Sequence, residues 1–200
     1  MLAIYQVIGF LIALTVHEFM HAWTANYLGD STAKYAGRVS LNPIAHIDPV
    51  GTVILPLLLI VTGAPVIGWA KPVPINPNNF QNPRLGSSLT ALAGPIANLL
   101  TALALAAVTK LPMIQGTGFE TFLFATIMIN LFLMVFNLIP IPPLDGSKVL
   151  AYFFPKLDDP KLEIYGPFVL LAFILMGGVR FLIPVVNLLI QLLGLNFSLY

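Results

Sequence analysis

The sequence predicts an all-α polytopic membrane protein, with about five to six hydrophobic segments and a short extended or re-entrant stretch at about residues 68–78. Three observations carry that prediction. Of 200 residues, 58% are hydrophobic and only 8% are charged. A soluble domain carries roughly 25% charged residues, so this chain cannot cover a globule with polar groups and must use the bilayer as solvent. Several apolar stretches reach the roughly 20 residues that a spanning helix needs. The polar residues lie in short loops between them, so residues 1–200 are expected to form a single membrane-embedded domain. The net charge of +1 gives no reason to expect a nucleic-acid partner. With no cysteine there is neither a disulfide framework nor a thiolate metal site.

Segment A runs from about Leu2 to Leu28. It has no basic leader or small-residue cleavage site and leads directly into His17, so it reads as a retained membrane helix. Segment B, Val50 to about Ile67, is interrupted by Pro56 and Gly63 and is marginal in length. Segment C covers Leu85 to Val108, and segment D covers Phe119 to Ile139. Segments E and F share Ile164 to Leu195, divided near Gly177, Gly178, Arg180 and Pro184. Asp30 to Asp48 and Pro140 to Glu163 read as loops. Between B and C, the alternation of Pro72, Val73, Pro74 and Ile75 forbids a helix and fits an extended edge strand or a polyproline segment. Read along the chain, Lys and Arg give neither membrane orientation a clear excess.

Two of the three histidines stand four residues apart around a glutamate, in His17-Glu18-Phe19-Met20-His21. On a helix, positions i and i+4 lie about 40° apart on one face, so both imidazoles can hold one metal ion. Glu18 lies one residue on, where it can reach water on that metal. This is the arrangement of zinc peptidases. An ionisable residue at the centre of a spanning helix costs roughly 2.5–3.5 kcal/mol on insertion scales, so the cluster at this depth needs partners or a task. The plainer alternative is an interhelical polar clamp. A catalytic zinc takes three protein ligands and leaves one position open. His46, Asp30, Asp48, Asp145, Asp158, Asp159 and Glu163 are candidates for the third. Asp145 stands out because it follows segment D on a proline-broken stretch, Pro140-Ile141-Pro142-Pro143-Leu144-Asp145-Gly146, although Pro-Leu-Asp-Gly is also an ordinary turn.

Three motifs in order, His-Glu-x-x-His in segment A, Ala93-Gly94-Pro95-Ile96-Ala97-Asn98 in segment C and Asn137-x-x-Pro-x-Pro-x-Leu-Asp145-Gly146 after segment D, resemble the site-2 protease family of intramembrane zinc metalloproteases. The stretch Gly68-Trp69-Ala70-Lys71-Pro72-Val73-Pro74-Ile75-Asn76-Pro77 resembles the compact bacterial members, and no PDZ or CBS domain is seen. The resemblance implies one Zn2+ per chain on His17, His21 and Asp145, with Glu18 as catalytic acid and base. It implies a multi-pass protein of the bacterial cell membrane that cuts membrane-protein substrates, typically single-span ones. Asn98 and Asn137, amides in apolar helices, are candidates for binding substrate or the oxyanion, or else serve as interhelical glue. Gly94 and Pro95 are expected to allow close packing and a local kink. The alternatives are a metal transporter, or an inactive family member acting as an adaptor.

If His17, His21 and Asp145 share one metal, the late half of A and the end of D lie on one side of the membrane, and A and D run parallel. Segment C supplies the return crossing, so segment B is expected to dip in without crossing.

Overall fold

A computed structural model describes residues 2–54, 58, 61 and 68–195. Helices and irregular segments make up the described residues, with no strand among them. Helix α1 spans Leu2–Tyr27, followed by the short α2 at Thr32–Tyr35. Single turns follow at Pro43–His46, Pro49–Ile54 and Pro77–Asn79. Then come α3 at Pro83–Thr109, α4 at Gly118–Asn137, α5 at Asp145–Phe153, α6 at Pro160–Leu175 and α7 at Leu182–Leu192.

The long helices begin where local chemistry dictates. Asn82 accepts a hydrogen bond from Leu85 N (3.1 Å) at the start of α3, with Pro83 at the first helical position, where its missing N–H costs nothing. Thr117 caps α4 through Glu120 N at 3.2 Å. Asp159 caps α6 through Lys161 N at 2.8 Å, again followed by proline.

Helices α1, α3 and α4 are long and apolar enough to cross a membrane, and α6 with residues 178–192 forms a bent pair that makes a fourth if counted as one span. Among the described residues, which omit most of segment B, the helices thus make three spans, or four with the bent pair. Segments E and F divide near Gly177, as expected: α6 has 16 residues and α7 has 11, and the pair is bent by 75° at Gly177, whose φ of 81° lies in the left-handed region that glycine tolerates. The loop expected over Pro140–Glu163 also contains a helix, α5. Its Asp145 lies in the first turn, where a carboxylate complements the helix dipole. Gly146 does not make a free turn. It lets α5 sit against the Leu138 carbonyl, where a Cβ would collide.

The three spans pack directly on one another. Tyr5 meets Phe122 edge to face, and a Cβ on Gly9 would stand 2.8 Å from the Thr126 hydroxyl, so α1 and α4 run parallel. Helix α3 runs opposite: its Thr90 meets His21, and its Asn98 meets His17 and Ala13. Small residues make this closeness possible, with Ala91, Ala93, Gly94, Ala97, Ala102 and Ala106 on the buried side of α3. Helix α7 adds Val186 and Ile190 to a core with Ala102, Ala106, Ile127 and Leu131.

Most of segment B lies outside the described residues. Its flanks meet: Trp69 N donates to Gly51 O (3.1 Å), Lys71 N to His46 O (3.0 Å), and Thr52 Oγ1 to Trp69 O (2.7 Å). Residues 68–76 form an irregular chain without a strand ladder. Prolines at 72, 74 and 77 push Lys71, Val73 and Asn76 toward extended backbone, and Asn76 shows it with φ −111° and ψ 102°.

Candidate metal centre and active site

Parallel α1 and α4 deliver the late half of α1 to the segment after α4. His17 Nε2 lies 3.2 Å and His21 Nε2 3.4 Å from Asp145 Oδ2. Both histidines are buried.

The other ring nitrogens fix what those atoms can do. Asn98 Nδ2 donates to Ala13 O (3.0 Å) and to Asn130 Oδ1 (2.9 Å), so its Oδ1 accepts the 2.6 Å hydrogen bond from His17 Nδ1. His21 Nδ1 donates to the Thr90 carbonyl at 2.7 Å. With each Nδ1 as the donor, each neutral ring turns a lone pair on Nε2 toward Asp145. Asp145 Oδ2 is buried and has no hydrogen-bond donor among the described residues. Three acceptors thus face one another within 4.8 Å. They repel unless a cation lies between them. Ligand atoms held about 2.0–2.1 Å from one tetrahedral zinc stand roughly 3.3 Å apart, close to the observed 3.2 and 3.4 Å. Two imidazoles and a carboxylate suit zinc and leave a position free. Gly94 leaves the necessary room: a Cβ there would sit 2.5 Å from His21 Nε2 and 2.7 Å from His17 Cε1.

The centre opens into a cavity of about 540 Å³ lined also by Glu18, Asn137, Val73 and Ile75. Asn137 Nδ2 donates to Leu133 O at 2.9 Å. Asn98 is fully buried and does not line the cavity.

Chains with this sequence character are known. YwhC of Bacillus subtilis (strain 168), named as a zinc metalloprotease, is 39% identical over 195 residues, covering 92% of this chain and 86% of its own. The model of Peptidase family M50 matches residues 108–177. The chain belongs to Peptidase family M50, the site-2 protease family. Two proteins named Rip2 are also similar. That of Mycolicibacterium smegmatis is 32% identical over 80% of this chain and 60% of its own, and that of Mycobacterium tuberculosis (strain H37Rv) is 31% identical over 90% and 67%. No solved structure gives a significant match. The M50 chain is a membrane zinc metalloprotease, and its bacterial relatives point to the cell membrane.

The other candidates for a third ligand have different partners. Asp30 accepts from Asn76 N and Asn79 Nδ2, both at 2.7 Å. Asp48 accepts from Val50 N and Gly51 N, and Glu163 pairs with Lys148. His46 is completely buried, with Nε2 donating to Ser40 O at 2.7 Å. Sequence reading passed over Asn130, although an amide in the middle of apolar α4 was a visible signal. It also passed over Arg38, a buried guanidinium whose partners lie far along the chain. Burial pulls the Arg38 guanidinium below its ordinary range, and the Glu18 carboxylate opposes that pull.

Proposed function

We propose that this M50 protease hydrolyses peptide bonds within or beside the transmembrane segments of other membrane proteins, single-span ones in particular, with Glu18 as the proton-transferring residue. The observation that carries the reading is the orphaned Asp145 oxygen facing two lone-pair nitrogens, on the cavity that Glu18 also lines. His17, His21 and Asp145 would hold zinc, which when bound supplies a Lewis acid for the scissile carbonyl and acidifies water. Glu18 accepts the proton of the attacking water and delivers it to the leaving amine. Asn137, on the cavity wall, donates one Nδ2 hydrogen to Leu133 O and keeps the second for a substrate carbonyl. Asn98 acts instead through His17, holding its ring in the tautomer that presents Nε2.

A helical substrate keeps its carbonyls in i to i−4 hydrogen bonds and must unwind before attack. Residues Val73–Ile75 flank the cavity as extended chain and fit the role of a strand that the unwound segment pairs with.

The cavity mouth faces the cytoplasm in this reading. Of nine Lys and Arg residues, Lys34, Arg38, Lys71, Arg84, Lys148, Lys156 and Lys161 belong to the loops and helix ends around it, seven of nine. Such a bias marks the cytoplasmic side. It is not visible along the sequence until the flanks of segment B are brought to one face.

The test is Glu18→Gln in purified protein, with a single-span peptide as substrate and zinc counted per chain. The expected result is a fall in kcat of at least about 100-fold with zinc retained. Loss of zinc in that variant would make Glu18 a ligand, as in a transporter, and sink the assignment.

A further inference from the structure

Asp30 and Arg38 lie outside the metal centre and bond to neither His17 nor His21, yet both are buried charges. Each ends on the backbone of the irregular chain at 71–76. The Arg38 guanidinium donates to Pro72 O through Nη1 at 3.2 Å and to Lys71 O through Nη2. Asp30 Oδ2 accepts from Asn76 N at 2.7 Å, and its Oδ1 accepts from Asn79 Nδ2 at 2.7 Å.

His46 completes the Arg38 end. Because Ser40 O can only accept, His46 Nε2 carries the proton. Nδ1 is then the acceptor facing Arg38 Nη2 at 3.4 Å, and the His46 carbonyl receives Lys71 N. Arg38 Nε has no acceptor among the described residues. The guanidinium leaves one N–H unpaired in order to reach two adjacent carbonyls.

The alternation of extended backbone gives these contacts a meaning. Successive residues turn their N–H and C=O to opposite edges. Arg38 reaches both Lys71 O and Pro72 O, so the backbone turns at Lys71 and the alternation begins at Pro72; from there Pro72 O and Asn76 N, four residues apart, fall on one edge and are bound to Arg38 and Asp30. Pro74, between them, has no N–H to satisfy. Val73 and Ile75 belong to the other edge. Their N–H and C=O groups meet no partner among the described residues, and both residues line the cavity beside His17, Glu18 and His21.

We propose that Asp30 and Arg38 are positioning residues: two tethers that hold the chain at 72–76 extended by one edge, keeping the Val73/Ile75 edge open for the backbone of an unwound substrate. This rests on the strand-pairing reading above. The recognised chemistry is main chain, so the tethers govern how well extended substrate binds and leave the metal untouched.

The experiment uses the full zinc-loaded chain in lipid nanodiscs and a synthetic single-span peptide with a helix-breaking Gly-Pro pair. For Asp30→Asn, Arg38→Gln, Arg38→Lys and Val73→Pro, kcat, KM and zinc content are measured, with hydrogen exchange at the Asn76 amide as a readout independent of catalysis. Asp30→Asn keeps size and shape but turns an N–H donor at one of the contacts that Asp30 accepts, so it tests a tether even if Arg38→Gln does not fold. Expected are KM raised about tenfold in Asp30→Asn and Arg38→Gln, one zinc per chain in both, and kcat within about twofold in Asp30→Asn, which keeps the Arg38 charge that acts on Glu18. Arg38→Lys, able to reach one carbonyl, should fall between. Arg38→Gln should speed exchange at Asn76, showing that one tether keeps the other end taut. Unchanged KM and unchanged Asn76 exchange in Arg38→Gln would overturn the tethers, as would a fall in kcat alone in Asp30→Asn. Val73→Pro removes one N–H of the open edge. If it raises KM while the tether variants do not, the strand reading survives and the tethers fall. If it leaves KM unchanged, the strand reading itself fails.

Discussion

The two walls of the cavity are held in different ways. On one side His17 and His21 belong to a spanning helix, and their rings are set by Asn98 and the Thr90 carbonyl of a neighbouring helix packed on small residues. On the other side the chain at 71–76 has no secondary structure of its own and is held by two side chains from the loop after α1. The metal side needs fixed distances between three atoms, which rigid helices supply. The substrate side must keep backbone groups unpaired, which neither a helix nor a completed ladder allows. The contrast is sharp enough to break by mutation: damage to the first wall should appear as lost zinc, and damage to the second as weakened substrate binding.

The largest effect is expected from Gly94→Ala. The new Cβ would stand 2.5 Å from His21 Nε2, and the obstacle is the pair of imidazole rings themselves, which Thr90 and Asn98 hold in place. To relieve it either the rings leave their positions facing Asp145 or α3 backs away and parts Thr90 and Asn98 from them. Zinc affinity should fall by more than about 100-fold, beyond the usual loss of a single outer hydrogen bond, and activity with it, while circular dichroism keeps its helical signal. Zinc titration checks this. A Gly94→Ala protein with wild-type zinc affinity would mean that the metal wall is soft, and the comparison would collapse.

A smaller effect of the same kind is expected from Asn98→Ala. It removes the acceptor for His17 Nδ1 and frees the ring to take the wrong tautomer. Metal affinity should drop about 10–100-fold, with KM near wild type once zinc is saturating. If KM rises instead and zinc is held normally, Asn98 belongs to the substrate wall.

The contrast between the walls also explains what could be read from sequence. Spans A, C and D, at 2–28, 85–108 and 119–139, lie close to α1, α3 and α4, because twenty apolar residues in a row have few other solutions. His17, Glu18 and His21 were legible because the helix itself makes i and i+4 neighbours. Asp145 took the resemblance as well, since nothing local distinguishes it from a turn aspartate. Helix α5 was missed: nine residues directly after Pro142 and Pro143 are too short a run to establish a helical period. The division of E and F near Gly177 was legible from its glycines, although α6 is apolar all round and gives no face to read. Arg38 and Asp30 were illegible as tethers because their partners are backbone groups 33–46 residues away, and a peptide carbonyl has no sequence signature.

The mildest perturbation is acid. Burial of Asp30 favours its neutral form, but hydrogen bonds from the Thr32 hydroxyl, Asn76 N, Asn79 Nδ2 and Thr32 N outweigh it and hold the carboxyl below its ordinary 3.8. A carboxylate with a depressed pKa stabilises the folded state above its unfolded pKa, and that contribution fades as pH falls through the folded value. Near neutrality wild type should melt above Asp30→Asn by a few degrees, about what a lost charge-assisted hydrogen bond produces. Below pH 3.8 the two melting curves should converge, because wild type then protonates the same oxygen that the variant lacks. Melting both proteins without zinc removes the acid lability of the histidine ligands from the comparison. A gap that stays constant through acid would mean that Asp30 holds the loop by shape alone, and that its charge contributes nothing to the tether.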